Sequence, residues 1–297
     1  MMIKVLAYPK NKIEGSQAIR KLEKRLKELK ISYTIEFGEK EKSTRNIAKK
    51  LNKSQCDTVI CIGGDGTLHG IINGLYGKGI KLGVMPYGHG NDLARYLNIP
   101  KNIDAALDII LKGKTKKYFL GEINKIGTDI KEYFFSVAGM GYDAKVIEIV
   151  EKQNLKKRFK AFAYTIGAIK AIFTYDPLRI EIIYDNITLQ RKAMMVAVGN
   201  STTYGGGMRI TPKANPQNNY FNITYLRQLG KLAFLWNLPK VFSGKHIEVK
   251  KHIFNFNARE IELNSWPQGK IVADGELLDL LPARIRKSKF QQEIIIP

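Results

Sequence analysis

The chain reads as an α/β domain with a parallel sheet over residues 1–115, followed by a mainly antiparallel β-sandwich domain over residues 116–284. Residues 285–297 are placed to return to the first domain as a last strand. Three observations carry this reading. Apolar runs alternate with amphipathic stretches in the first part, a βαβ pattern that favours parallel strands with ligand at their carboxyl ends. From about residue 115 short β-like runs recur instead. A length of 297 residues is enough for two separate cores.

Residues 2–7 (MIKVLA) form the first expected strand, and residues 9–15 a polar turn. Ile19, Leu22, Leu26 and Leu29 recur at three- and four-residue spacing, the period of an amphipathic helix. Residues 31–37 alternate like a strand and 43–53 suggest another helix. Residues 59–62 are a buried strand that empties through Gly63-Gly64-Asp65-Gly66-Thr67, and 68–72 start a helix. Residues 80–85 repeat the arrangement, running into Pro86-Tyr87-Gly88-His89-Gly90-Asn91-Asp92 before helices at 93–97 and 104–111.

Beyond residue 115, β-like runs fall at 118–123, 133–138, 179–184, 193–199, 221–226, 246–249, 254–256 and 260–263, with helical insertions at 142–173 and 228–242. A strand at 270–273 leads to Asp274-Gly275-Glu276, and 293–296 form the last strand.

Apolar residues make up 44% and charged residues 26%, a balance that a folded globular chain carries. No run of about 18 apolar residues occurs, and Lys4, Lys10, Lys12 and Glu14 interrupt any signal-peptide core. Cys56 and Cys61 form no CxxC arrangement, which points away from metal or redox work and towards a cytoplasmic setting. The formal charge of +22 implies attraction to polyanions: nucleic acid, anionic membrane or phosphorylated small molecules. Lys152, Lys156, Lys157, Arg158 and Lys160 form either an anionic-surface patch or a solvated helix face. The aromatic residues show no RNP-like or zinc-finger spacing, which sets nucleic acid aside.

The stretch around Asp65 has the physical character of a phosphate site. Small residues let backbone N–H groups approach an anion, and the helix start adds unsatisfied donors and a favourable dipole. A carboxylate among phosphates implies a cation between them, so Asp65 suggests Mg2+. Loops from neighbouring parallel strands face the same side, so Asp65 and Asp92 can converge on one cleft. His89 is a nucleotide contact or a turn residue; His69 reads as packed or solvated, and His246 and His252 as surface. Asp143 closes a third small turn, Gly139-Met140-Gly141-Tyr142. Gly205-Gly206-Gly207 either admits a ligand or serves the turn alone. Asp274 and Glu276 either aim at one small volume or belong to an ordinary DG hairpin. Phosphoryl transfer needs a phosphate cradle, Mg2+ and a base for the acceptor hydroxyl, and these residues can supply each part. No Walker motif, kinase HRD/DFG pair or dinucleotide GxGxxG is present.

The motifs GGDGTLHGIINGL (63–75), P-x-G-x-x-N-D-x-A-R (86–95), GxGxDA (139–144), GGGxxIxPxA (205–214) and DGE (274–276) occur in that order. In this the chain resembles the diacylglycerol kinase catalytic-domain family in its bacterial form, which also includes sphingosine and ceramide kinases. NAD kinases share GGDGT, but GNDLAR and the late DGE separate the two.

The resemblance implies a nucleotide-binding first domain and a lipid-substrate second domain. It implies ATP and Mg2+ as cofactors and a lipid alcohol as acceptor, diacylglycerol by default. Asp274 would be the general base, with Glu276 its partner. Asp65 would serve catalysis and, with Asp92, the metal. Gly63, Gly64, Asp65, Gly66, Thr67, Gly88, His89, Asn91 and Asp92 would hold the nucleotide, and Asp143 would face the substrate head group. Peripheral association with anionic membrane gives the +22 charge a purpose, and a homodimer is compatible with the reading. The alternatives are an NAD kinase-like enzyme and a non-catalytic lipid binder on the same fold. The chain departs from the family at His89 (usually Thr), at Tyr8 (usually Asn), and at 217–222, where neutral residues replace acids that help hold a structural magnesium.

Overall fold

The computed structural model describes residues 2–39, 43–155 and 162–297. Lys156, Lys157, Arg158 and Lys160 of the basic run lie outside the described residues. The chain divides into two units, Met1–Leu120 with Lys289–Pro297, and Gly121–Ser288.

In the first unit β1 (Met2–Ala7) pairs in parallel with both β2 (Ser32–Phe37) and β3 (Thr58–Gly63). β3 pairs in parallel with β4 (Lys81–Pro86). All of β3 is buried, as a parallel strand covered on both faces must be, which is why its sequence is a continuous apolar run. The chain end does return: β15 (Ala283–Ile295) pairs in parallel with β4 at Ile294↔Leu82, and the side chain of Gln292 donates to the Ile80 carbonyl at 2.8 Å.

Helix α2 (Gln17–Glu28) is capped by Ser16, whose hydroxyl accepts from the Ile19 N–H, and it buries Ile19, Leu22 and Leu26. Leu29, the fourth member of the expected stripe, is the exposed C-cap instead. Residues 9–15 are not all turn, because α1 (Lys10–Ile13) forms there. Helix α3 (Ser43–Lys50) packs on α4 (Asp65–Leu75) at Gly74, where an added Cβ would stand 2.5 Å from that of Ala48.

The second unit holds β6 (Lys131–Phe134), β7 (Val137–Gly141), β8 (Leu178–Tyr184), β9 (Ile187–Gly199), β10 (Phe221–Arg227), β11 (Ile253–Ala258), β12 (Glu260–Trp266), β13 (Ile271–Ala273) and β14 (Glu276–Leu278). The order β14-β13-β7-β9-β8-β12 leads to the first half of β15, with β10 joining β9 to β11. Its pairings are antiparallel, and inward residues such as Phe134, Val196, Val198, Phe221, Ile223 and Ile261 make the core.

Three expectations need correction. The run 133–138 splits into β6 and β7, because the Phe135 and Ser136 N–H groups leave the ladder to donate to Asp274. The run 246–249 is no strand but a turn of 3-10 helix, Lys245–Glu248. His246 is not on the surface either. It is buried and its Nε2 donates to the Ile210 carbonyl at 3.1 Å, while burial lowers its pKa.

Candidate active site

Helix α4 begins at Asp65, three residues earlier than its apolar pattern suggests, so Asp65-Gly66-Thr67 is the first helical turn rather than a loop. Its N-cap, Gly64, offers no side-chain cap, and the first turn of any helix lacks intrahelical acceptors for its N–H groups. This leaves an anion-binding end directly after β3.

The glycines around it answer to packing as well as to phosphate. A Cβ at Gly63 would meet the buried Thr67 side chain at 2.6 Å, and one at Gly88 would meet the Gly64 Cα at 2.7 Å. The turns after β3 and β4 therefore touch, backbone to backbone. Asp65 ties them together: Oδ2 accepts from the Asn91 N–H at 2.8 Å and Oδ1 from the Asp92 N–H at 2.7 Å. Asn91 sits in the left-handed region (φ 51°) as N-cap of α5 (Asp92–Tyr96), and its side-chain amide donates to the Gly88 carbonyl at 2.7 Å.

Asp65 and Asp92 both flank Gly90, where a Cβ would lie 2.5 Å from Asp65 Oδ2 and 3.7 Å from Asp92 Oδ2. Asp92 and Asn91 are buried, whereas His89 is exposed. His69 is packed within α4, with its Nε2 3.5 Å from the Asn73 amide.

Among the described residues no group of three or more His, Cys, Asp or Glu side chains could hold a metal ion. Mg2+ characteristically takes one or two carboxylates and completes its shell with substrate phosphates and water. The carboxylate pair beside Gly90, next to an uncapped helix start, fits that requirement.

In the second unit the DGE stretch is a β-hairpin and more. Ala273 pairs with Glu276 across Asp274 (φ 50°) and Gly275 (φ 88°), the signature of a two-residue type I′ turn. The Asp274 carboxylate then accepts from the Phe135 and Ser136 N–H groups, each at 2.7 Å. Both oxygens are fixed by these bonds. Glu276 is half-buried on the next strand.

Pattern reading missed Asn200 on the other side of the same segment. Its side-chain amide donates to the Phe135 carbonyl at 2.7 Å, its N–H donates to the Ser136 carbonyl at 2.9 Å, and its oxygen accepts from the buried Lys287 ammonium. A polar residue directly after the apolar run ending at Gly199 was the available signal.

Asp143 lies in the first turn of the helix Tyr142–Lys152. Burial raises its pKa to about 7, Oδ1 accepts from the Ala144 N–H, and Oδ2 has no hydrogen-bond partner among the described residues. Gly205–Gly207 form the tip of a small hairpin closed by reciprocal Tyr204–Met208 backbone bonds. At 217–222, Asn222 is buried in an amide network with Asn255 and Asn257, which clamps β10 to β11 where a carboxylate cluster would repel itself.

The first unit thus carries an uncapped helix end after a parallel strand, and the second a backbone-clamped carboxylate. The class of protein is given by the comparisons. Residues 4–123 match the family model "Diacylglycerol kinase catalytic domain", and residues 136–294 match "YegS C-terminal NAD kinase beta sandwich-like domain". The chain is 29% identical over 289 residues to a diacylglycerol kinase of Staphylococcus aureus (strain JH9), covering 96% of this chain and 88% of the relative. It is 29% identical over 253 residues to one from Staphylococcus haemolyticus (strain JCSC1435), covering 84% and 74%. A solved structure of a diacylglycerol kinase from Bacillus anthracis str. Sterne superposes with a TM-score of 0.70 at 20% identity, covering 100% of this chain and 97% of that one. The chain belongs to the bacterial diacylglycerol kinase and YegS family and carries that family's ATP-dependent lipid-kinase catalytic domain.

Proposed function

We propose that the chain moves the γ-phosphate of ATP to the hydroxyl of a diacylglycerol-like lipid alcohol. The observation that carries the reading is Asp274. Its carboxylate is held by two 2.7 Å backbone N–H bonds on a tight hairpin, a fixed placement of the kind a base for a hydroxyl proton requires. In this reading Asp274 accepts the proton as the lipid oxygen bonds to the γ-phosphorus. The bond from that phosphorus to the bridging oxygen breaks, and the electron pair leaves with ADP. Glu276 orients the base, and Asp143, whose raised pKa of about 7 keeps a share of it protonated at neutral pH, offers a hydrogen-bond donor to the head group.

On the donor side the N–H groups at the start of α4 face the phosphates, and Asp65 holds the Gly88–Asp92 turn in register with them. Mg2+ bound with the nucleotide would be held at Asp65 and Asp92 and would offset the phosphate charge. Acceptor and donor parts each resist displacement, as positioning catalysis requires. In this reading the lipid acceptor is reached from a peripheral position; among the described residues no helix is long and apolar enough to cross a membrane.

Asp274→Ala tests the assignment. Turnover should fall on the order of a hundredfold or more while ATP affinity stays near the parental value. Equal turnover would remove Asp274 from the base position.

A further inference from the structure

The charge of +22 is not used by the site just described, and one part of the second unit concentrates it. A cavity of about 480 Å³ opens between β9 and the facing ends of β10 and β11. Arg191, Lys192, Arg227, Gln228, Lys251 and His252 line it, and no carboxylate does. Four fixed positive charges around one cavity repel one another, so the arrangement is favourable only with anions nearby.

Tyr225 adds a second observation. Its ring packs against Phe254, over which the Arg227 guanidinium also lies at 5.3 Å. Its phenol oxygen is buried with no hydrogen-bond partner among the described residues, and the Arg227 and Arg191 charges oppose the burial that raises its pKa. Two of the cavity's cations therefore act on a buried donor that no described protein group satisfies.

The chain between the two walls of this cavity carries the opposite chemistry. Residues 227–252 leave the cavity at Gln228 and return at Lys251, and between them form the helices Lys231–Asn237 and Lys240–Ser243. These helices expose Leu232 (83%), Trp236 (81%) and Phe242 (55%). The adjacent helix Ala163–Thr174 adds Phe173 (60%), held in place by Lys231, whose ammonium donates to the Phe173 carbonyl at 3.2 Å. An apolar tip with an exposed Trp, bordered by Lys231, Lys240 and a basic cavity, matches the layering of a bilayer interface, where rings enter the headgroup level and cations meet phosphate.

Resting on the lipid-kinase reading, we propose that residues 227–252, with Phe173 and the Arg191–Lys192 edge of β9, dock the protein on an anionic lipid bilayer. Trp236 and Leu232 enter the interface, and the basic cavity takes up lipid headgroup phosphates.

The test uses the full chain without ATP, so it is independent of phosphoryl transfer. The protein is sedimented with phosphatidylcholine vesicles containing or lacking phosphatidylglycerol. Parent protein should bind the anionic vesicles, with affinity falling as salt rises. A triple variant R191Q/R227Q/K251Q should bind on the order of a hundredfold more weakly, and Trp236→Ser about tenfold more weakly. In a Trp266→Phe background, where Trp236 is the sole tryptophan, its emission should shift to the blue on anionic vesicles. A control neutralising Lys24, Lys27 and Lys30 of the first unit should bind almost as the parent does.

Failure of the parent to bind would overturn the proposal. So would an equal loss in the control, or preference for an RNA or DNA oligonucleotide over vesicles. Labelling of a micelle-dissolved acceptor by the triple variant at the parental rate would show the kinase reading standing apart from docking. Absence of labelling in both, with docking intact, would count against the kinase reading alone.

Discussion

Asp65→Ala separates two roles for a carboxylate that family resemblance assigns to magnesium. In the structure its two oxygens receive the Asn91 and Asp92 N–H groups at 2.8 and 2.7 Å, joining the turn after β4 to the first turn of α4. A hydrogen bond to a charged group contributes roughly 1.5–3 kcal/mol. Asp65 is half-buried, so water can replace part of each bond, and the pair together is taken at about 2–3 kcal/mol. At about 4 °C per kcal/mol for a unit of this size, the melting temperature of the nucleotide-free protein should fall by about 10 °C. Differential scanning calorimetry in the presence of a chelator reads this without any contribution from metal. A carboxylate serving only as a metal ligand predicts the opposite, since removing it relieves repulsion from Asp92. An unchanged or raised melting temperature would refute the tying role.

Three further outcomes follow from particular contacts. Gly88→Ala places a Cβ 2.7 Å from the Gly64 backbone and should cost about 1–3 kcal/mol in denaturant unfolding, with weaker ATP binding by calorimetry. Burial raises the Asp143 pKa from 3.8 to about 7, so the folded state binds more protons between those values and stability falls as pH rises through them. Asp143→Asn should flatten that slope in denaturation series from pH 4 to 8 and stabilise the protein above pH 7. Lys287 has the mirror behaviour: burial lowers its pKa from 10.5 to about 7, the unfolded chain binds more protons in that window, and stability should rise with pH across it. Lys287→Met should abolish the rise, as read from urea midpoints at pH 7 and pH 10.

Much of the fold was legible because the first unit obeys simple periodicity. β3 is a central parallel strand, so its continuous apolar run carried both its identity and its depth. The start of α4 was less visible, because Asp65-Gly66-Thr67 contains no apolar residue to join the helical stripe, and it is the Leu68 N–H bond to the Gly64 carbonyl at 3.0 Å that closes the first turn. The split of 133–138 was illegible for a different reason. The interruption is imposed by Asp274, a residue 138 positions from Ser136 in sequence, and no local pattern records such a partner.

The same limit applies to the site. The acids Asp65, Asp92 and Asp274 stood out by their setting in glycine turns, yet their hydrogen-bond partners are long-range backbone groups. Lys287 sits in a stretch that carries no turn signal, and Asn200, though it follows an apolar run, meets its partners through tertiary contact alone. His246 was placed on the surface because lysines surround it in sequence. Its imidazole is instead drawn inwards by the Ile210 carbonyl.

The central claim is transfer of phosphate to a lipid hydroxyl. Purified protein incubated with γ-labelled ATP and Mg2+ in mixed micelles containing a panel of lipid alcohols, with NAD as a separate acceptor, tests it most directly. The account predicts a labelled lipid with the parent, diacylglycerol first among the acceptors, and on the order of a hundredfold less or lower still with Asp274→Ala. Label on NAD alone, or on no acceptor at all, would contradict it.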